Sequence, residues 1–405
     1  MTVLMCNKYY FVKGGAERYL FELSRILESK GHRVVPFAMR HERNEPSEHS
    51  EAFVSHEGFD GDGGAIGRLR AAARVIYSVE ARRKIERLVD RVGPDIAHAH
   101  NIAHQLSPSI LYGLAAKGVP VVQTLHDYKL VCPNYSMFVD GENCERCATW
   151  RYWNACARRC MRGALAPSAL VCLEAYAHRL LGSYARHVAL FIAPSRSLRD
   201  RVIAHGVSPD KVVHLPYAID LSGYAPTYAD DGYAVYVGRL SAGKGIGTLL
   251  GAAALAPEVR IKVVGAGPLL ADLEALRDRE RLSNVEFVGH HTGEELKRLM
   301  AGATFVVVPS ECFENSPLTV YEALALGKAV VGSDIGGIPE LLGGEAGVLF
   351  PAGDREALAE RLRSLWGDRP RAAEMGRRAR ARAEGVYGPE SHYERLMDIY
   401  GRVVH

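Results

Sequence analysis

Apolar residues fall along this chain in short solid runs, separated by longer stretches where they recur every third or fourth position. Val3-Leu4-Met5-Cys6 is one such run, of the kind that strands buried on both faces require. From Ala16 to Ser29 the period lengthens, placing Tyr19, Leu20, Leu23, Ile26 and Leu27 on one helical face, and Gly31 closes the helix. Further strands are expected at Arg33–Phe37, Ile96–Ala99 and Val119–Leu125, each after a turn signal at Gly31, Gly93-Pro94 or Gly118. Repeated strand–helix units of this kind predict a parallel sheet.

The alternation stops between residues 205 and 232, where Gly206, Pro209, Pro216, Gly223, Pro226 and Gly232 crowd together, and then it resumes. Strands are expected at Tyr233–Val237, Arg260–Val264, Val285–Val288, Thr304–Val308, Ala329–Gly332 and Gly347–Phe350, and helices near Pro370–Glu384 and Glu390–Val404. The expected fold class is α/β, with two Rossmann-like, doubly wound parallel-sheet domains facing a cleft. Residues 1–208 form the first, with a cysteine-rich insertion at about 132–160 and completed by a C-terminal helix at 388–405; residues 209–387 form the second. Ligands in such folds lie in the crevice at the C-terminal ends of the strands.

Composition agrees with that picture and narrows the partners. A chain of 405 residues suits two cores better than one. Its 50 Lys and Arg against 47 Asp and Glu leave a net charge of +3, with no bulk attraction for nucleic acid. No stretch reaches the roughly 18 apolar residues of a membrane-spanning helix. Met1 to Lys8 reads as a first strand and not as a leader, so the expected location is cytoplasmic, with the inner membrane face open to it.

Chemistry is expected in the loops that follow the strands. Gly14-Gly15 opens the first helix, where a phosphate could approach free backbone N–H groups, or where a tight turn needs glycine for positive φ. Gly238-Arg239-Leu240-Ser241-Ala242-Gly243-Lys244-Gly245 sets two cations after a strand, as a diphosphate site would, but Gly245 stands where a P-loop needs Ser or Thr. Gly265 and Gly267 match two glycines of a dinucleotide fingerprint, yet Leu270 takes the third place, so a dehydrogenase or NTPase lacks its full signature.

The most informative run is Pro309-Ser310-Glu311-Cys312-Phe313-Glu314-Asn315-Ser316-Pro317-Leu318-Thr319-Val320-Tyr321-Glu322. A helix starting after Pro317 leaves the N–H groups of Leu318 to Val320 unpaired and turned toward the cleft, an anion site within reach of Arg239 and Lys244. Glu322, one turn in, could accept hydrogen bonds from a ribose diol, while Glu314 sits nearer the leaving sugar; the bland alternative makes Glu314 a solvated loop residue and Glu322 a partner of the helix dipole.

Glu314 and Glu322 have the spacing of the Glu-x7-Glu motif of retaining family 4 glycosyltransferases with the two-Rossmann GT-B architecture, which this chain resembles along nearly its whole length. Gly14-Gly15 with Glu17, Gly238-Arg239 with Lys244, Gly265-Ala266-Gly267-Pro268 and Gly336-Gly337 recur in order. The resemblance implies a nucleotide-diphosphate sugar donor, UDP or GDP, and a glycan, lipid-linked or small-molecule acceptor. Gly15, Arg239 and Lys244 would hold the diphosphate, Glu322 the ribose, and Glu314 the donor sugar with the backbone of Asn315, Ser316, Pro317, Leu318 and Thr319. Gly14, Gly238, Gly265 and Gly267 would line the donor site, and His126 would contact the transferring sugar. Where many relatives have Glu-Gly-Phe-Gly this chain has Glu314-Asn315-Ser316-Pro317, which leaves the sugar preference open, and Glu311 competes for the role of Glu314. Retention requires either a carboxylate nucleophile or departure and attack on one face of the sugar, and no residue is assigned as nucleophile. No cofactor is expected for transfer, since Arg239, Lys244 and the helix terminus can stabilise the leaving diphosphate. A relative that binds the nucleotide sugar without catalysis would be expected to lack His126, Glu314 or Lys244.

Three features stand outside that scheme. Cys132, Cys144, Cys147, Cys156 and Cys160 have spacings that would let four of them hold structural zinc, or less readily an iron–sulfur cluster, with packed or redox-labile thiols as the alternative. Among them Arg151, Arg158, Arg159 and Arg162 alternate with Trp150, Tyr152 and Trp153, either a basic solvated face or a seat on an anionic membrane. Asp60-Gly61-Asp62 mimics a metal-binding Asp-x-Asp but lies in a glycine-rich stretch and reads as solvated loop.

Overall fold

The computed structural model describes residues 1–55 and 64–404; Asp60-Gly61-Asp62 lies outside them. The first domain holds β1 (Thr2–Cys6), β2 (Arg33–Phe37), β3 (Ile96–Ala99), β4 (Val121–Thr124), a small antiparallel hairpin of β5 (Phe138–Val139) and β6 (Glu142–Asn143), then β7 (Leu190–Ala193) and β8 (Val212–His214). The second holds β9 (Ala234–Val237), β10 (Ile261–Val264), β11 (Val285–Gly289), β12 (Phe305–Val308), β13 (Ala329–Ser333) and β14 (Gly347–Phe350). Each domain is built on a six-stranded parallel sheet, in the orders β2-β1-β3-β4-β7-β8 and β11-β10-β9-β12-β13-β14.

The solid apolar runs have their explanation here. Helices cover both faces of each sheet, so β3, β4, β7 and β12 are buried at every residue and alternation would have been a fault. Strand order reverses between β1 and β3 in one sheet and between β9 and β12 in the other. Those switch points open a crevice at the strand C-termini. Into it run the loop of Gly14-Gly15 after β1, that of Gly238–Gly245 after β9, and that of Ser310–Pro317 after β12.

One apolar core spans both domains, from Val3, Met5 and Tyr19 to Val308, Tyr321 and Tyr387, while two others line the outer faces of the separate sheets. The helix Pro389–Gly401 returns to the first domain, where Tyr400 Oη meets His98 Nδ1 at 2.7 Å and His392 Nε2 meets Tyr19 Oη at 3.1 Å.

Besides the β5–β6 hairpin, two strands of the parallel sheet escaped the sequence reading. Leu190–Ala193 is a run of only four residues, and Val212–His214 is three residues inside the Pro/Gly stretch where the alternation stops. Because β8 pairs with β7, the first domain extends past His214, and the expected boundary at 208 is too early.

Candidate active site

The loop after β12 is fixed by close backbone packing. A Cβ on Gly336 would stand 2.1 Å from the Glu314 carbonyl oxygen, and one on Gly337 would stand 1.9 Å from that of Asn315; only glycine lets the two loops lie against each other. The Gly337 N–H donates to the Glu314 carbonyl at 2.8 Å. Held this way, Glu314 turns its carboxylate to Lys244 Nζ at 2.5 Å and accepts from Ser310 Oγ at 2.7 Å. Burial would raise this carboxyl, but the Lys244 charge and the two hydrogen bonds outweigh it and hold it below its ordinary value. Glu311 points elsewhere, taking the Thr248 hydroxyl at 2.6 Å, so the two glutamates do not compete.

The helix Leu318–Ala325 begins at this point, after Pro317 in an extended conformation. The Val320 N–H already bonds the Pro317 carbonyl at 3.0 Å, so the free donors are those of Leu318 and Thr319, which have no acceptor among the described residues. On the same helix Glu322 is buried; its Oε1 takes Arg18 Nη2 at 2.5 Å and the Tyr224 hydroxyl at 3.3 Å. A cavity of about 470 Å³ opens from Glu322 and Arg18 between the domains, lined by Tyr224, Leu296 and Lys297. Arg18 and Tyr224 were missed by sequence reasoning. The available signal was a cation close to the first turn of a helix, where the dipole disfavours it.

The Gly14-Gly15 loop meets this corner. A Cβ on Gly15 would lie 3.4 Å from Leu318 Cδ1, so glycine lets the first domain's loop approach the start of the Glu322 helix. Neither glycine has positive φ, which removes the tight-turn explanation. Gly238, Gly265 and Gly267 are places of close loop packing, since a Cβ on Gly265 would stand 1.9 Å from the Gly238 carbonyl oxygen, and one on Gly267 2.2 Å from that of Leu240. These glycines weld the loops after β9 and β10 together. Gly245 is required likewise, since at φ +69° its Cβ would fall 1.7 Å from the Pro309 carbonyl oxygen, which excludes the Ser or Thr of a P-loop. Arg239 stays exposed beside Lys244, with no acidic partner among the described residues.

The side chains of Asn315 and Ser316 are engaged within the protein, which leaves their backbone as the part that could meet a sugar. The Asn315 side chain donates to the Leu125 carbonyl at 2.9 Å and accepts from Ser195 Oγ at 2.9 Å, tying the motif to the other domain; Ser316 Oγ pairs with Tyr321 Oη at 2.7 Å. Both are buried and spent on structure, so their side chains are not free for a ligand.

Across the cleft, His126 follows β4 with both ring nitrogens engaged, Nε2 with His100 Nδ1 at 2.8 Å and Nδ1 with Tyr217 Oη at 2.7 Å. The rings of His98, His100 and His126 stack, and burial pushes His98 and His126 down to about 3, so both stay neutral at ordinary pH. Beside them a cavity of about 120 Å³ is lined by Lys8, His104, Gln123, Asp127 and Lys129. Gln123 Oε1 is buried there without a partner, and burial raises the Asp127 carboxyl. Lys129 reaches back to Glu174 Oε2 at 2.7 Å. Lys8, Gln123, Asp127 and Lys129 did not stand out in the sequence, because they gather only when β1, β3 and β4 end at one rim.

In the cysteine cluster, as elsewhere among the described residues, no group of three or more His, Cys, Asp or Glu is arranged to hold a metal ion. All eight cysteines are free, burial pushes the Cys147 and Cys160 thiols up to about 12 and about 11, and Cys156 sits beside Cys172.

Two switch-point loops, a helix start and a facing glycine loop now share one crevice, and comparison with known proteins identifies the family. Residues 13–222 match Glycosyltransferase Family 4 and residues 225–382 match Glycosyl transferases group 1. The chain belongs to glycosyltransferase family 4. The phosphatidyl-myo-inositol mannosyltransferase of Mycolicibacterium smegmatis is 24% identical over 373 residues, which is 89% of this chain and 83% of that protein. The sulfoquinovosyl transferase SQD2 of Arabidopsis thaliana is 35% identical over 154 residues, 37% of this chain, and the match spans only 29% of SQD2. Among solved structures, Anabaena HepE in complex with UDP superposes with a TM-score of 0.73 at 18% identity, covering 100% of both chains. This glycosyltransferase therefore has the GT-B fold, two parallel-sheet domains about a cleft.

Proposed function

We propose that this glycosyltransferase moves a sugar, with retained anomeric configuration, from a nucleoside-diphosphate sugar to an acceptor hydroxyl held against the first domain. One observation carries the reading: Gly15, the free N–H groups of Leu318 and Thr319, and the Arg18–Glu322 pair converge on one corner of the crevice, with Lys244 and Glu314 beside it. The diphosphate lies against the helix start and the Gly15 backbone, with Arg239 and Lys244 compensating the charge that grows on it as the sugar leaves. The nucleoside fills the 470 Å³ cavity, and the free oxygen of Glu322 takes the ribose. HepE, of the same fold, has been crystallised with UDP-glucose, which supports a UDP-sugar as first choice.

The acceptor occupies the cavity beside His126, where the Asp127 carboxylate and the unpartnered Gln123 Oε1 are the groups that can take its hydroxyls. His126 is a positioning residue, since its ring is held by His100 and Tyr217 and fixes the turn carrying Asp127. Thermal unfolding with UDP-, GDP- and ADP-sugars tests the donor half. One of them should raise the melting temperature, and Glu322→Ala should abolish the rise. An unchanged melting temperature with all three, or a rise that survives Glu322→Ala, rejects the site. Product NMR with the accepted donor reads the anomeric configuration.

A further inference from the structure

The helix Leu165–Leu181 turns most of its leucines outward. Its buried side carries Ser168, Glu174 and His178 beside Val171 and Cys172, and its outward side carries Leu165, Leu173, Leu180 and Leu181, with Leu180 71% exposed. Each inward polar residue has a partner, although Glu174 Oε1 and His178 Nε2 are buried without one. Glu174 meets Lys129 and stands 3.4 Å from His104, the His178 ring meets Ser183 at 3.0 Å, and Ser168 bonds the backbone of Ala164 and Met161. The outward leucines have no such explanation among the described residues. Ala166 and Ala169 extend the same exposed apolar strip, which carries no acidic side chain, because Glu174 faces in.

The cysteine-rich insertion widens the strip. Tyr152 packs edge-on to Tyr176 at 5.1 Å, the Trp153 N–H reaches the Tyr176 hydroxyl at 3.4 Å, and Arg179 lies 4.5 Å over the Trp150 ring. Trp150 and Trp153 thereby flank the helix, both about half exposed. Between Cys144 and Leu165 the chain carries five arginines and one acid, Glu145, which pairs with Arg201. Arg158 pairs with Asp140, whereas Arg146, Arg159 and Arg162 have no carboxylate partner among the described residues.

We propose that this face docks on the surface of an anionic lipid bilayer, with the leucines and tryptophans entering the headgroup boundary and the arginines meeting lipid phosphates. Contiguous exposed apolar surface rimmed by charge marks an interaction site, and tryptophan beside arginine fits the membrane interface. A second copy of the chain is a poorer occupant, since a symmetric contact would set the unpaired arginines of two insertions against each other. No helix among the described residues is long and apolar enough to cross a membrane, so the contact lies on the surface. The docking does not depend on the transfer chemistry.

Vesicle flotation of the full chain tests it, with phosphatidylcholine alone and with about a third phosphatidylglycerol added. The protein should float with the anionic vesicles, stay behind with neutral ones, and be released by high salt. The double variant Leu173→Glu/Leu180→Glu should lower the bound fraction at least roughly tenfold, and Arg159→Glu/Arg162→Glu should do so by a similar factor on anionic vesicles only. These positions are exposed, and an unaltered melting temperature with an unaltered shift by UDP-sugar confirms that both variants are folded. The proposal fails if the unmodified protein stays in solution with anionic vesicles, or if the leucine variant floats as well as it does. It also fails if sedimentation equilibrium shows a dimer that Leu180→Glu dissociates.

Discussion

The two sides of the crevice are held by different means. On the second domain the loops are welded by backbone contact: Gly245 against Pro309, Gly265 against Gly238, Gly336 and Gly337 against Glu314 and Asn315. On the first domain the His126–Asp127 turn is held by side chains in series, from Tyr400 to His98 and from His100 through His126 to Tyr217, whose N–H reaches Tyr321. Backbone welds demand one residue type at one place and can be read from a sequence. A side-chain network can be built in many ways, so its members look ordinary until the fold assembles them.

Removing a weld gives the largest expected effect. Gly245→Ala must both hold a left-handed conformation and displace the Pro309 carbonyl, so it should cost about 3 kcal/mol or more and leave little soluble protein. Gly141→Ala is the control in the first domain; φ is +81° there with nothing within 4 Å, and a loss of about 1–2 kcal/mol by urea unfolding is expected. Equal losses would show that backbone packing does not distinguish the two sides.

Next in size is Asn315→Ala, which leaves the buried Leu125 carbonyl and the Ser195 hydroxyl without their cross-domain partner, at about 1–3 kcal/mol. Because the bond joins the motif to the turn before His126, acceptor KM should rise together with the loss of stability. A variant with altered stability and unchanged acceptor KM would sever that coupling.

The Lys244–Glu314 pair sets a pH window. Glu314 is held below its ordinary value of 4.5, so its contribution is complete above that pH and is lost as pH falls through the depressed value. Lys244 is held above its ordinary value of 10.5, since Glu314 outweighs the opposing effect of burial, and its contribution disappears as pH rises past that raised value. In Lys244→Gln only the Ser310 hydrogen bond is left to oppose burial, which is the larger cause and raises Glu314, so the acid limb of the melting-temperature profile should reverse and stability should gain as pH drops through the carboxylate range. An unchanged acid limb would show that the pair is not closed in solution.

The smallest change in stability belongs to Arg239→Ala, within about 0.5 kcal/mol because the side chain is exposed and has no acidic partner among the described residues. Donor affinity should nonetheless fall roughly tenfold as one charged contact to the diphosphate is lost. Loss of stability without loss of affinity would make Arg239 a structural residue.

Buried parallel strands must be solid apolar runs, and helices packed on them must be apolar at every third or fourth position; these requirements act on neighbouring residues. Ten of the sheet strands, the doubly wound class and the Glu314–Glu322 segment could therefore be read from the sequence alone. The short strands β7 and β8 could not, since a run of three or four residues becomes a strand only by pairing with its neighbour. Nor could the division of roles among glycines, because Gly15 and Gly265 look alike until one faces Leu318 across the crevice and the other lies on a carbonyl. Arg18 beside Glu322, Asn315 beside Leu125, and the outward leucines of the helix Leu165–Leu181 were likewise settled in three dimensions. Contacts between residues 190 and 304 positions apart leave no local periodicity to read.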